Sequence, residues 1–227
     1  MRHVGPRPAA RHGTTPPEER SLTDPKFIGS FPRADTPLDP PLPEIAFLGR
    51  SNVGKSSLLN AIVGRKIAKT STTPGKTRAL NVFLVEIGRG EKGDVHLPSP
   101  ISLYFLDLPG YGYARVGKAE RSAFRGLLKH TLRREGLCGV VWLLDIRHPP
   151  SVDDRAMQDV LVEGETDVLA ALTKSDKLSK REREARERQL SEELELPAEQ
   201  MIVTSAKTGE GIADLRDSIA GLIASAP

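Results

Sequence analysis

The chain is predicted to fold as an α/β domain, a mostly parallel six-stranded sheet in three layers with helices on both faces. Apolar, strand-like runs alternate with segments of helical period along most of its length, the pattern of a doubly wound sheet. Some of these runs, such as Gly139-Val140-Val141-Trp142-Leu143-Leu144-Asp145, are continuously apolar until their last residue, as a strand covered on both faces must be. A loop of the form G-x-x-x-x-G-K-S stands between one strand and one helix, the setting in which such a loop cradles phosphate.

Taken in order, residues 1–25 are rich in Pro, Arg, His, Gly and Thr without apolar period and read as a disordered tail ahead of a domain over 26–227. Residues 27–31 form a short strand laid on that domain. A Pro-rich stretch then delivers the chain into the first core strand at 44–48, followed by the phosphate loop and a helix over 57–63. Residues 68–78 are polar and turn-forming, and read as a mobile loop. Strands at 80–87 and 101–106 are joined by a polar insertion, 88–100, too long for a tight hairpin. A helix over 118–135 carries Ala123, Phe124, Leu127, Leu128 and Leu132 at helical spacing. After the strand at 139–145 come a helix at 153–161, a strand at 166–172, a charge-laced helix at 180–194 and a last strand at 201–204. The terminal helix is marked by Ile212, Leu215, Ile219 and Leu222.

With 227 residues and 38% hydrophobic content, the chain suits one α/β domain of ordinary core size. A formal charge of +3, from 33 basic and 30 acidic residues, is too balanced to mark a nucleic-acid binder by charge alone. The single Cys138 excludes an internal disulfide and a cysteine-based zinc cluster. No apolar stretch approaches the roughly 18 residues of a membrane span, and Met1 to Pro6 lack a signal core. A cytoplasmic protein without a membrane partner is expected.

Chemistry gathers where strands end. In Gly49-Arg50-Ser51-Asn52-Val53-Gly54-Lys55-Ser56 the glycines let successive N–H groups point inward at phosphates, and the following helix adds positive potential. Lys55 would reach the outer phosphates, and the Ser56 hydroxyl would meet a magnesium ion that takes its other oxygens from phosphate and water. At Asp107-Leu108-Pro109-Gly110, Asp107 can hold Mg2+ through water while the Gly110 N–H reaches the terminal phosphate. At Thr173-Lys174-Ser175-Asp176, the Asp176 carboxylate can accept from the two N–H groups of a guanine edge, with Lys174 packed over the base. Ser205-Ala206 adds a backbone N–H for guanine O6, with Thr204 before them counted among the nucleotide-binding residues. Adenine would leave that carboxylate unpaired, at a cost of roughly 1–3 kcal/mol. All four loops follow predicted strands, so one guanine nucleotide, GTP or GDP, can touch them together.

The segment after the second loop is basic. Lys118, Arg121, Arg125 and Lys129 fall along one helical stripe, with Arg115, Arg133 and Arg134 nearby. The stripe is either a solvated face or an RNA contact. Stacked like charges that cost stability favour the RNA reading.

The strings Gly49 to Ser57, Thr73-Pro74-Gly75-Lys76-Thr77, Asp107-Leu108-Pro109-Gly110-Tyr111-Gly112-Tyr113-Ala114 and Thr173 to Asp176 resemble the EngB GTPases of bacteria and organelles. The resemblance covers residues 27–225 and implies a P-loop GTPase (G domain) fold. It implies a magnesium-dependent GTP switch, expected as a monomer, that acts in large ribosomal subunit assembly and is needed for normal division and septation. Its partner would be that subunit or its precursor, through rRNA. By the same resemblance Gly75, Lys76, Thr77, Arg78 and Ala79 form a switch segment in which Thr77 reaches Mg2+ only when the γ-phosphate is present. Tyr111 stands where Ras-like proteins carry a water-orienting Gln, so intrinsic hydrolysis is expected to be slow. Asn52 either caps its loop or helps hold a potassium ion that assists hydrolysis. Lys55, Thr77, Gly110 and Asn52 are therefore the expected catalytic groups. A P-loop kinase and a GTP-binding division protein without turnover are the alternatives to a GTPase.

Overall fold

In chain order the elements are β1 (Lys26–Phe31), β2 (Glu44–Gly49), α1 (Lys55–Val63), β3 (Leu80–Ile87), β4 (Ile101–Asp107), α2 (Lys118–Thr131), β5 (Leu137–Asp145), α3 (Val152–Glu163), β6 (Val168–Thr173), α4 (Lys180–Leu194), β7 (Met201–Val203) and α5 (Ile212–Ser225). They belong to a computed structural model that describes residues 24–68, 79–88, 100–112 and 117–226. The expected tail up to residue 23, most of the 88–100 insertion, and Gly75, Lys76, Thr77 and Arg78 lie outside the described residues.

The strands form one sheet in the order β1-β3-β4-β2-β5-β6-β7. β2 pairs in parallel with β4 and with β5, β6 pairs in parallel with β5 and with β7, and β3 runs antiparallel to β4. The sheet thus has seven strands rather than the expected six. Residues 26–31 are not laid on the domain but pair antiparallel with β3, from Lys26 opposite Leu84 to Phe31 opposite Leu80, with a slip between Phe27 and Gly29. An otherwise open edge of β3 is thereby covered, and the Phe27 ring sits 5.4 Å from that of Phe83.

Alternation along the strands divides the core into two layers. Ala46 and Leu48 of β2 point with Trp142 and Leu144 into a cluster with α2, α3 and α4, through Leu128, Leu161 and Leu190. Ile45 and Phe47 point the other way, with Phe105 and Leu143, onto Leu59 of α1 and Leu215 and Ile219 of α5. Every residue of β2 is buried, which explains a run apolar on both faces. Because β2, β4, β5 and β6 are mutually parallel, Gly49, Asp107, Asp145 and Thr173 end at one sheet edge.

α2 stops at Thr131 instead of running on to residue 135. Turn bonds from Arg133 N to His130 O and from Arg134 N to Thr131 O replace the helix, and Arg134 turns inward. Its Nε donates to Glu44 Oε2 at 2.5 Å and its Nη2 to Glu44 Oε1 at 2.7 Å, while Nη1 donates to the carbonyls of Ala34 and Thr36. Arg134 is therefore a structural staple and no part of a basic surface. Both side chains are nearly buried, so Arg134→Ala leaves an unpaired carboxylate under the sheet. Urea unfolding should show a loss of roughly 3–5 kcal/mol, and a loss near zero would remove the staple from the account.

Candidate functional site

The loop between β2 and α1 is shaped by two left-handed residues, Asn52 at φ 63° and Gly54 at φ 111°. Asparagine is among the few side chains that tolerate this region, which gives Asn52 a backbone reason to be there. Gly49 is needed for space. A Cβ there would lie 2.9 Å from Val53 Cγ1 and 3.0 Å from Leu143 Cβ.

Lys55, the first residue of α1, points across to β4 and pairs with Asp107 Oδ1, while Asn81 Nδ2 donates to the other carboxylate oxygen at 3.3 Å. Ser51 Oγ is buried without a hydrogen-bond partner among the described residues. A hydroxyl in that state costs about 1–3 kcal/mol unless a ligand supplies the bond, and a phosphate oxygen at this loop can supply it. Ser56 and Asp107 offer the hard oxygens that magnesium prefers. No group of three or more His, Cys, Asp or Glu among the described residues could hold a metal alone, so the ion would need nucleotide oxygens as well.

Two residues of β6 and its turn hold the loop from behind. Thr173 Oγ1 donates to Val53 O at 2.7 Å and lies 3.1 Å from Leu144 O. Lys174 Nζ donates to Asn52 O at 2.6 Å and to Asp145 Oδ2 at 2.8 Å. Asp145 also receives the Arg147 guanidinium at 2.8 and 2.7 Å. Burial disfavours its charge, but the bonds from Arg147 and Lys174 outweigh that and hold the carboxyl at about 2. The sequence reading missed Asp145. Its signal was a lone carboxylate closing an apolar strand, in register with Thr173 of β6.

The turn after β4 is zipped onto the loop by backbone bonds from Leu108 N to Phe47 O (3.2 Å), Tyr111 N to Gly49 O (3.3 Å) and Ser51 N to Tyr111 O (2.9 Å). Leu108 and Pro109 are buried, so they can meet a ligand only through backbone. Gly110 admits no side chain, because a Cβ would lie 2.7 Å from Ser51 Oγ. Tyr111 does not face the loop. Its ring is buried and its hydroxyl donates to Asp154 Oδ1 at 2.8 Å.

At the third and fourth loops Asp176 Oδ1 accepts from Ser205 Oγ at 2.8 Å, and that bond, with help from Lys177, lowers its pKa. Ser205 Oγ in turn accepts from Lys207 N and Thr208 N, both at 3.2 Å. The Ser205 N–H is spent on Glu210 O, which leaves the adjacent Ala206 N–H as the donor of this loop. Thr204 is interior, with its N–H on Leu172 O, so it backs the site rather than lining it. Ser175 Oγ donates to Glu210 Oε2 at 2.6 Å. Glu210 carried no sequence signal, being one acid in a polar turn.

The structure thus gathers the loops holding Gly49 to Ser56, Asp107 to Gly110, Thr173 to Asp176 and Ser205-Ala206 around one sheet edge. Ala79 immediately precedes β3, and the segment before it, with Thr77, lies outside the described residues. A cleft of about 230 Å3 beside Arg50, Asn52, Asp145 and Lys174 is below the roughly 300–1,000 Å3 of typical ligand pockets, so the site rests on the loops and not on that cleft. On α2, Arg121, Arg125 and Lys129 are exposed, and Lys129 lies 3.5 Å from Glu163. The Lys118 side chain lies outside the described residues. No helix among the described residues is long and apolar enough to cross a membrane.

A family profile described as "50S ribosome-binding GTPase" matches residues 44–174. A "Probable GTP-binding protein EngB" from Syntrophomonas wolfei is 42% identical over 184 residues, 80% of this chain and 88% of its own. Its counterpart from Gemmatimonas aurantiaca is 44% identical over 185 residues, 81% and 84% of the two chains. Among solved structures, a probable GTP-binding protein engB superposes with a TM-score of 0.54 at 22% identity, over 79% of this chain and 98% of that one. Aquifex aeolicus Era bound to GDP and AlF4− superposes with a TM-score of 0.62 at 23% identity, over 79% and 56%. At these identities the superpositions speak for the fold alone.

Lys55 faces Asp107 across the site, and Asp107 keeps Asn81 as a second donor. Lys55→Ala should therefore abolish GTP and GDP binding while thermal unfolding stays cooperative. Unchanged affinities by calorimetric titration would reject the site.

Proposed function

The chain belongs to the EngB family of GTP-binding proteins, and from that premise we propose that it is a slow, magnesium-dependent GTP switch acting on the large ribosomal subunit or its precursor, and needed for normal division and septation. The protein is a GTPase. The observation that carries the site reading is the convergence of four loops at one sheet edge, with Lys55 and Asp107 facing each other across it.

Each loop has a distinct task in this reading. The N–H groups of Asn52 and residues 54–56 and the positive end of α1 cradle the phosphates, those of Ser51 and Val53 being spent on Tyr111 O and Arg50 O, and Lys55 leaves Asp107 to neutralise them. Magnesium, if bound, would offset the charge that develops on the phosphates during hydrolysis. Ser56 and Thr77 supply hydroxyls to it and Asp107 acts through water. Gly110 presents its N–H to the γ-phosphate. Asp176 reads guanine, Lys174 covers the base and Ala206 N–H meets O6. Thr173, Thr204 and Ser175 hold these loops from within the fold.

Slow turnover follows from Tyr111. With the ring turned into the core, residue 111 presents no side chain to an attacking water. Hydrolysis then depends on backbone positioning and on whatever a partner adds.

The ribosomal partner is supported by the family description and by the exposed cations Arg121, Arg125 and Lys129 on α2. This helix begins seven residues after Tyr111 in the chain, so a turn that senses the γ-phosphate can set where its cations point. The GTP form should bind the large subunit about 5- to 150-fold more tightly than the GDP form. Arg121→Gln with Arg125→Gln should weaken co-sedimentation and flatten its log–log salt slope by about two units, with GTP affinity unchanged. A double variant that co-sediments like the parent across the salt series would make the stripe a solvated face.

A further inference from the structure

Tyr111 sits where its backbone and its side chain serve different parts of the molecule. Its N–H and carbonyl stitch the turn after β4 to Gly49 and Ser51 of the phosphate loop. Its hydroxyl lies on the opposite side, in the core, between a donor and an acceptor. Trp142 Nε1 of β5 donates to it at 2.8 Å, and it donates to Asp154 Oδ1 of α3 at 2.8 Å. The ring also lies 6.4 Å from that of Phe124 on α2.

The acceptor is itself fixed. Asp154 is buried, and its second oxygen accepts from Ser151 N at 2.8 Å and from Ser151 Oγ at 2.6 Å, closing the capping box of α3. Burial and the neighbouring Asp154 push the Tyr111 pKa well above its ordinary value, so the phenol stays a donor at any working pH. Trp142 can only donate, and both oxygens of Asp154 accept. The hydroxyl is therefore satisfied in one orientation, and moving it leaves two buried polar groups unpaired.

The residue held in this way directly follows Gly110. Gly110 in turn touches Ser51 so closely that no side chain would fit. Fixing residue 111 from below therefore fixes the height of the Gly110 N–H over the phosphate loop.

We propose that Tyr111 is a positioning residue for the triphosphate state: its hydroxyl, locked between Trp142 and Asp154, holds the Gly110 N–H against the phosphate loop where only a γ-phosphate reaches it. The inference rests on the guanine-nucleotide reading of the site and assigns the aromatic residue a task that the reading leaves open. A diphosphate has no atom at Gly110, so GDP binding is indifferent to the lock. A general structural role would move both nucleotides together.

The test is Tyr111→Phe, which keeps the ring and removes the hydroxyl, compared with the parent for GDP and for a non-hydrolysable GTP analogue. The analogue should bind about tenfold more weakly with GDP within about twofold of the parent, and single-turnover hydrolysis should fall. Equal losses for the two nucleotides, or no loss for either, would overturn the proposal. If Tyr111→Phe does not fold, Trp142→Phe removes only one of the two hydroxyl bonds and should show the same one-sided loss, smaller in size. Unaltered selectivity in that variant also overturns it. Loss of nucleotide in Lys55→Ala together with unaltered selectivity in these variants would sink this inference alone, whereas unchanged binding in Lys55→Ala would sink the site reading beneath it.

Discussion

Two opposite charges facing each other at the end of a parallel sheet set the terms for the rest of this molecule. Phe47 of β2 lies in register with Asp107 of β4, so the chain leaving β2 must pass beside that carboxylate before α1 can begin. Lys55, the first residue of α1, closes the gap. Both side chains are largely withdrawn from water, at 12% and 7% exposure, and removing one charge from such a pair leaves the other poorly compensated. A polyphosphate with a divalent cation offers each group a replacement partner. In the proposed reading the nucleotide and its ion would take the place of this pairing.

The surroundings of that pair are braced by side-chain bonds from the neighbouring strand ends. The phosphate loop is fixed by Thr173 and Lys174 from β6, and Lys174 by Asp145, whose own second partner is Arg147. The loops after β6 and β7 brace each other through Ser205, Asp176 and Glu210. Gly112 lies against Arg50 of the phosphate loop, and α2 carries the exposed cations Arg121, Arg125 and Lys129.

The sheet was legible because a strand buried on both faces must be apolar throughout, and β2 and β5 are. The phosphate loop was legible because left-handed residues and a crowded strand end demand glycine and asparagine at fixed spacing. Three features were not. The edge strand β1 is short, half exposed and slips at Gly29, so its period is too weak to tell sheet from surface. Arg134 reads as one more cation on a basic helix, because nothing local announces a carboxylate ninety residues away on Glu44. Tyr111 reads as a loop residue, and only the packing of β5 and α3 beneath the turn shows that its hydroxyl belongs to the core. In each case the decisive contact is distant in sequence, which periodicity cannot register.

The exchange of Lys55 and Asp107 for a magnesium nucleotide is tested most directly by titrating Asp107→Asn with a non-hydrolysable GTP analogue, with and without magnesium. Without Asp107 the lysine is no longer tied across the site and, in the proposed reading, the metal would lose a water-mediated carboxylate. The account predicts that analogue binding without magnesium is kept, while the gain that magnesium gives the parent disappears. A variant that gains as much from magnesium as the parent would contradict it.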